Sequence, residues 1–163
     1  MVVVPYFSNE VPYAEDTLNS KCNRNIKNTR KMDYNCGGYA LGTFNWYLPC
    51  TNEAEHIPLG FETEEEAEAL TKTCVKAMLM EFEARNLRVI DSLSCLNINE
   101  YAFAFRISSD GDFHYVRRHT NGKWFHKCGA ESVIRLMEKE EVFTTDWCDG
   151  RYDGPIVLFA IHK

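Results

Sequence analysis

The residues best placed for chemistry lie in Asp33-Tyr-Asn-Cys36-Gly-Gly-Tyr-Ala-Leu-Gly42, where a cysteine stands at the first turn of an expected helix. The thiolate is the reactive form, and a free cysteine with a pKa of about 8.5 is only a few per cent ionised at neutral pH. A helix N-terminus presents unpaired N–H groups and a partial positive charge, which favour the anion. The same N–H groups can bind the oxyanion of a tetrahedral intermediate. Asn35, Gly37 and Gly38 are therefore expected to line the oxyanion and substrate position around Cys36. Glycine inside a helix costs about 0.8–1 kcal/mol relative to alanine. Two of them in one turn require a reason, here the close approach of a substrate or a facing strand to the sulfur.

A cysteine nucleophile needs an imidazole that is distant in sequence and near in space. Of five histidines, His162 is at the C-terminal end, His56 is in a polar loop, and His119 abuts a turn and is expected to be exposed. His114, in Asp112-Phe-His-Tyr-Val-Arg-Arg118, follows the Asp110-Gly111 turn near the start of a strand and is the expected base. His126, on the next strand, can accept from His114 and fix its tautomer if the register allows. A two-residue turn at Asn121-Gly122 pairs Arg117 with His126 and puts the two histidines on opposite faces. A three-residue loop, Thr120-Asn121-Gly122, pairs Val116 with His126 and puts them on one face. Glycine at the third loop position favours the latter. Asp112, also expected to line the site, and Asn121 are the fallback orienters.

The elements that must position these groups follow from periodicity. Cys36, Ala40, Thr43, Phe44 and Tyr47 fall on one helical face, capped by Asp33 or Asn35 and ended by Pro49. Thr63-Glu-Glu-Glu66 is a capping box opening a helix to about Arg85, with three acids at the positive end of its dipole. A short strand is expected over 87–90. Strands follow over 101–108, 113–119 and 123–127, then a short helix over 131–139 and a buried strand over 156–161. Asp146–Gly154 reads as a long loop able to rim the site. Helices precede an antiparallel sheet, so the fold class is α+β, in one domain of 163 residues whose first 32 form an irregular, polar arm.

The net charge of −6 argues against a phosphate backbone as partner, although basic residues gather at Lys21–Lys31 and Arg117–Lys127. No motif of the common nucleic-acid readers is present, and no nucleic-acid partner is expected. No apolar run approaches the ~20 residues of a membrane helix. The start, Met1-Val-Val-Val-Pro5, lacks the basic region of a secretory signal. Seven cysteines, at 22, 36, 50, 74, 95, 128 and 148, include no CxxC pair. Free thiols and a cytoplasmic setting are therefore the expectation.

The Asn-Cys-Gly-Gly-Tyr-Ala-Leu helix start, the later Asp-Phe-His-Tyr strand and the second histidine on the next strand resemble the papain-like superfamily, nearest its bacterial and phage NlpC/P60-type peptidases and amidases. The resemblance covers about a third of the chain. It implies a helix carrying the cysteine packed on a sheet carrying the histidine. It also implies Cys36 as nucleophile, His114 as base and His126 as third member of a thiol hydrolase. No cofactor follows from it, and the expected partner is a peptide or protein substrate. The same machinery serves deamidases, transglutaminase-like enzymes and acyltransferases.

Two other readings compete. A metal site could draw on Cys22, Cys36, Cys128, His114 and His126. Zinc motifs usually bring ligands in close pairs, and only His126 and Cys128 are close here, so no metal is expected. A non-catalytic binding or inhibitor protein could use the aromatic content, including Trp46, Trp124 and Trp147, as a binding face.

Overall fold

The computed structural model describes residues 33–43, 46–49, 51–52, 55–56, 60–119, 122–129, 133–137, 142–143, 147–148 and 150–163. The N-terminal arm over 1–32 lies outside the described residues, and with it the basic cluster at Lys21–Lys31.

The fold is α+β. In chain order the elements are α1 (Cys36–Leu41), β1 (Thr51–Asn52), β2 (Glu55–His56), α2 (Glu64–Glu81), β3 (Arg88–Val89), β4 (Glu100–Ile107), β5 (Phe113–Arg118), β6 (Trp124–Lys127), β7 (Val133–Met137) and β8 (Val157–His162). The strands β1 and β2 pair with each other. The other six form one antiparallel sheet in the order β3-β8-β4-β5-β6-β7, so the C-terminal strand is inserted beside β4. The continuous apolar run of β8 fits that internal position, flanked by β3 and β4.

Two cores lie on the two faces of the sheet. Phe103, Phe105, Tyr115 and Phe159 pack with Cys36, Leu41, Cys74 and Met78 on the helical side. Ala102, Ala104, Val116 and Leu158 pack with Trp124, Trp147 and Tyr152 on the other. The period-two alternation of β4, β5 and β8 divides their side chains between the two. Trp124 and Trp147 are thus core residues rather than a binding face, while Trp46 is exposed.

Of the helix expected over 131–139, the described residues 133–137 are not helical. Residues 133–137 form β7, which pairs with β6. Val133 and Ile134 are β-branched, and the open edge of β6 supplies hydrogen-bond partners that outweigh a local helical preference. The second helix starts as expected. Thr63 Oγ1 accepts from Glu66 N–H, while Glu66 reaches back to Glu62 N–H.

The first helix is shorter than its apolar periodicity predicts. Gly42 takes the left-handed conformation at φ 69° and ends it after six residues. Its last carbonyls are satisfied by side chains from elsewhere. Arg117 donates to Tyr39 O at 3.1 Å, Tyr101 Oη donates to Ala40 O at 2.8 Å, and Arg85 donates to Leu41 O. Two cations at the negative end of a helix are electrostatically favourable. Arg117 is fully buried, with Tyr101 beneath its guanidinium at 4.3 Å. Lys127 is buried too and donates to the Tyr34 and Gly129 carbonyls. The Arg117–Lys127 cluster is therefore partly interior, not a basic stripe facing solvent.

The helix start is held by Asn35. Its Oδ1 accepts from Gly38 N–H at 3.0 Å and Tyr47 N–H at 3.1 Å, and its Nδ2 donates to Tyr47 O at 2.9 Å. The residue is buried. An N-cap is worth about 1 kcal/mol, and each buried polar group left unpaired costs about 1–3 kcal/mol. Asn35→Ala is expected to destabilise the chain by about 2–4 kcal/mol in chemical denaturation. Asn35→Asp, which keeps the acceptor and loses the donor, should lie between that variant and the unmodified chain.

Candidate functional site

The register of the β5–β6 hairpin is Val116↔His126, Arg117↔Phe125 and Arg118↔Trp124. This is the three-residue-loop pairing, with Gly122 at φ 84°. It places His114 and His126 as diagonal neighbours on one face. Their rings meet at 88°, with His114 Nε2 and His126 Nδ1 hydrogen-bonded at 2.8 Å, and both residues are buried. Tyr152 stacks on the other side of His114, ring centroids 4.8 Å apart, and Trp147 meets its edge.

Cys36 lies at the start of α1, which packs against β5 and β6. Its sulfur accepts from the backbone N–H groups of Gly37 and Tyr115. Tyr115 is the residue next to His114, just beyond the last paired residue of the β5–β6 ladder. The cysteine and the histidine strand therefore meet, but Cys36 packs in the core on the helical side and His114 does not act on its thiol. The two imidazoles are brought together; no hydrogen bond joins the thiol to His114, which meets Trp147 of the other core.

The protonation states differ from expectation. Burial pushes the Cys36 thiol up to about 12; the two N–H donors oppose this, and the nearby Asp112 and Cys128 add to it. A six-residue helix provides too little field to offset the loss of water around the sulfur. Burial also pulls His114 down to about 3, assisted by His126 and Arg151. Both groups are neutral at pH 7.

The other expected site residues have different tasks. Asn35 is a cap and a clamp on Tyr47, and Gly38 spends its N–H on that cap. Gly37 is needed for packing: a Cβ there would stand 3.0 Å from Tyr47 O and 3.1 Å from Tyr47 Cβ. Asp112 makes no hydrogen bond with His114. Its Oδ1 accepts from Phe113 N–H, and its Oδ2 accepts from Tyr152 Oη at 3.2 Å and from Arg151 Nη2 at 2.8 Å. It is linked to His114 through Tyr152, whose ring stacks on the imidazole. Asn121, the other fallback orienter, lies outside the described residues. His119 is buried rather than exposed, with its Nε2 against Tyr39 Oη at 3.1 Å.

Of the remaining partners, sequence reasoning noted Cys128 only as a close neighbour of His126 and missed Cys148. Cys128 Sγ lies 3.6 Å from His126 Nδ1, and Cys148 hydrogen-bonds to Cys128. Together Cys148 and His126 hold the Cys128 thiol down to about 4. The His126-x-Cys128 alternation was a legible signal for the first. Nothing local marked Cys148, which reaches the group from the loop whose Trp147 and Tyr152 bridge each other. The expectation that all thiols are free fails at Cys74, which is disulfide-bonded. The argument for a reducing compartment loses that support. Among the described residues no helix is long and apolar enough to cross a membrane. An open apolar depression of about 630 Å³, lined by Thr71, Val75, Leu79, Val89 and Val157, includes none of these site residues.

Compared with known proteins, the chain matches no family model, no curated protein and no solved structure.

The shifts give opposite alkylation profiles for two cysteines. Cys128 is a thiolate above about pH 4 and should label with iodoacetamide at a rate that is flat from pH 6 to 9. Cys36 should be nearly inert at pH 7, with a rate still rising at pH 10, because its proton is lost only near 12. Peptide mapping by mass spectrometry reads both; a Cys36 that labels first at pH 7 would contradict this assignment.

Proposed function

We propose that the chain is a cysteine-dependent hydrolase of papain-like arrangement, a peptidase or amidase acting on an amide or similar acyl bond of a peptide or protein. Cys36 is the nucleophile, His114 the base and His126 the group that fixes the His114 tautomer. The observation that carries this reading is the 2.8 Å bond between His114 Nε2 and His126 Nδ1, one residue along β5 from the N–H that holds the Cys36 sulfur. With Nε2 committed to His126, Nδ1 is the nitrogen of His114 left for a proton from sulfur.

The neutral resting pair sets the order of events. A thiolate–imidazolium pair is not formed in advance, so the thiol proton moves as the carbon–sulfur bond forms. Cys36 and His114, which share no hydrogen bond in this conformation, must be brought together when substrate binds. Sulfur then attacks the acyl carbon while its proton passes to His114, and His114 returns that proton to the leaving amine. Water, deprotonated by the same imidazole, attacks the thioester, releasing the acid and restoring the thiol. The N–H groups of Gly37 and Tyr115, already directed at the sulfur, favour negative charge beside it. With an amine in place of water the same steps give acyl transfer.

One observation favours a second reading, a non-catalytic binding or inhibitor protein. The Cys36 thiol is buried, held near 12 and not acted on by an imidazole in this conformation.

Turnover of a fluorogenic peptide-amide library separates the two. Cys36→Ala should abolish hydrolysis with the near-UV circular dichroism unchanged. His114→Ala should lower kcat by about 10²–10⁴-fold, the usual worth of a positioned base. Undiminished turnover in Cys36→Ala would end the hydrolase reading.

A further inference from the structure

We propose that His114, His126, Cys128 and Cys148 form a four-ligand site for a borderline or soft divalent cation such as zinc. The sequence offers a metal site over Cys22, Cys36, Cys128, His114 and His126 only as a rival reading, and no metal is expected from it. The geometry gives a reason to expect one, because four potential ligand atoms, one per residue, all lie within 4.8 Å of one another.

The separations suit a single ion. Ligands at zinc–nitrogen and zinc–sulfur distances of about 2.0–2.1 and 2.3 Å in a tetrahedron stand about 3.4 Å apart for two nitrogens and about 3.6 Å for nitrogen and sulfur. Here His126 Nδ1 and Cys128 Sγ are 3.6 Å apart, and the two ring nitrogens are 2.8 Å apart. Binding would need the imidazoles to part by about half an ångström. His126 Nδ1 faces both His114 Nε2 and Cys128 Sγ, which is convergence on a shared point rather than a chain of separate pairs.

Each ligand is supplied by a constrained element. The β5–β6 register fixes the two histidines, and Cys128 follows His126 by two residues, on the same face. Cys148 stands at φ +49°, a left-handed conformation that non-glycine residues seldom adopt. It is held between Trp147, whose Nε1 donates to Val142 O at 3.1 Å, and Tyr152, which is packed on His114 and bonded to Asp112. The donor set of two imidazoles and two thiolates selects zinc, cobalt or copper(I) over magnesium and calcium. Two thiolates also neutralise a divalent ion with no further anion.

Binding involves no redox change. Any proton still on Cys128 or Cys148 is released to solvent. The hydrogen bond between the imidazoles is broken, and each ring keeps its proton on the nitrogen away from the ion, Nδ1 of His114 and Nε2 of His126. A His114 protonated on Nδ1 cannot take a proton from Cys36. Occupation therefore silences turnover, a consequence that rests on the hydrolase reading, whereas the binding itself does not.

The test uses the full chain with its disulfide intact, freed of metal by a chelator and titrated anaerobically with cobalt(II). A thiolate-to-cobalt charge-transfer band with intense visible bands of four-coordinate cobalt, saturating at one ion per chain and displaced by zinc, is expected. Cys128→Ser with Cys148→Ser should abolish the charge-transfer band, and Cys36→Ala and Cys95→Ser should leave it unchanged. Absence of the band in the unmodified chain, or its survival in the double variant, overturns the site. Should the double variant fail to fold, the unmodified chain still decides. Zinc should slow alkylation of Cys128 and Cys148 by at least roughly tenfold while sparing Cys95, and equal rates with and without zinc overturn it. Because Cys36→Ala keeps the cobalt spectrum and loses turnover, failure of the hydrolase reading and failure of the metal site are separate results.

Discussion

The pairing of Val116 with His126 is the constraint on which the functional end of the molecule depends. Strand side chains alternate, so a slip of one residue would send His126 to the opposite face and away from His114. The same pairing carries Cys128 to the histidine face. It is also the last rung of the β5–β6 ladder, and the next N–H along β5, that of Tyr115, is given to the Cys36 sulfur. One register thus sets the imidazole pair, the nearby thiol and the strand position that receives the helix start. Strands are common and registers are many; the glycine at 122, with positive φ, is what selects this one.

The helix carrying Cys36 is held by tertiary contacts rather than by its own propensity. A six-residue segment with two glycines is far below the length at which helices persist alone. Asn35 fixes one end, and Arg85, Tyr101 and Arg117 fix the other by taking its carbonyls. This explains the buried Arg117 in an otherwise apolar core: it supplies a hydrogen bond that the truncated helix cannot make. It also explains the state of the thiol. The chain closes tightly enough around the helix to exclude water from Cys36, and the desolvation so imposed exceeds what two N–H donors return.

Much of this was legible in the residues, for local reasons. Asn35 as a cap, Thr63-Glu66 as a capping box and the three-residue loop at Gly122 are signals confined to a few positions, and local chemistry decides them. The strands β4, β5, β6 and β8 follow from alternation or continuous apolar runs. What was hidden depends on distant partners. Residues 133–137 pair as a strand because β6 offers an open edge, which no window around Val133 can reveal. Gly37 was assigned to substrate approach, yet its neighbour is Tyr47, ten residues on and brought back by Asn35. Asp112 was read as an orienter of His114, and its carboxylate instead anchors Arg151 and Tyr152 across the sheet end. Cys148 gave no sign at all, since its place beside Cys128 is set by where Trp147 and Tyr152 pack.

The two chemistries proposed for this end of the sheet differ by the position of one proton. For His114 to act as base toward Cys36, its own proton must sit on Nε2 and be donated to His126 Nδ1, and His126 then carries its proton on Nε2. For both rings to ligate a cation through those facing nitrogens, His126 keeps the same tautomer and only His114 exchanges Nε2–H for Nδ1–H. The buried pair is therefore ready for either task without rebuilding its surroundings, and it cannot perform both at once. Burial on the histidine side with an exposed Cys128 and a half-exposed Cys148 leaves the group open toward solvent on the thiol side alone. An ion would arrive at the sulfurs first, and only then separate the imidazoles. Substrate, in contrast, must reach Cys36 at the helix start. The occupancy of one face of β5 would in this way govern the proton inventory of a thiol on the other.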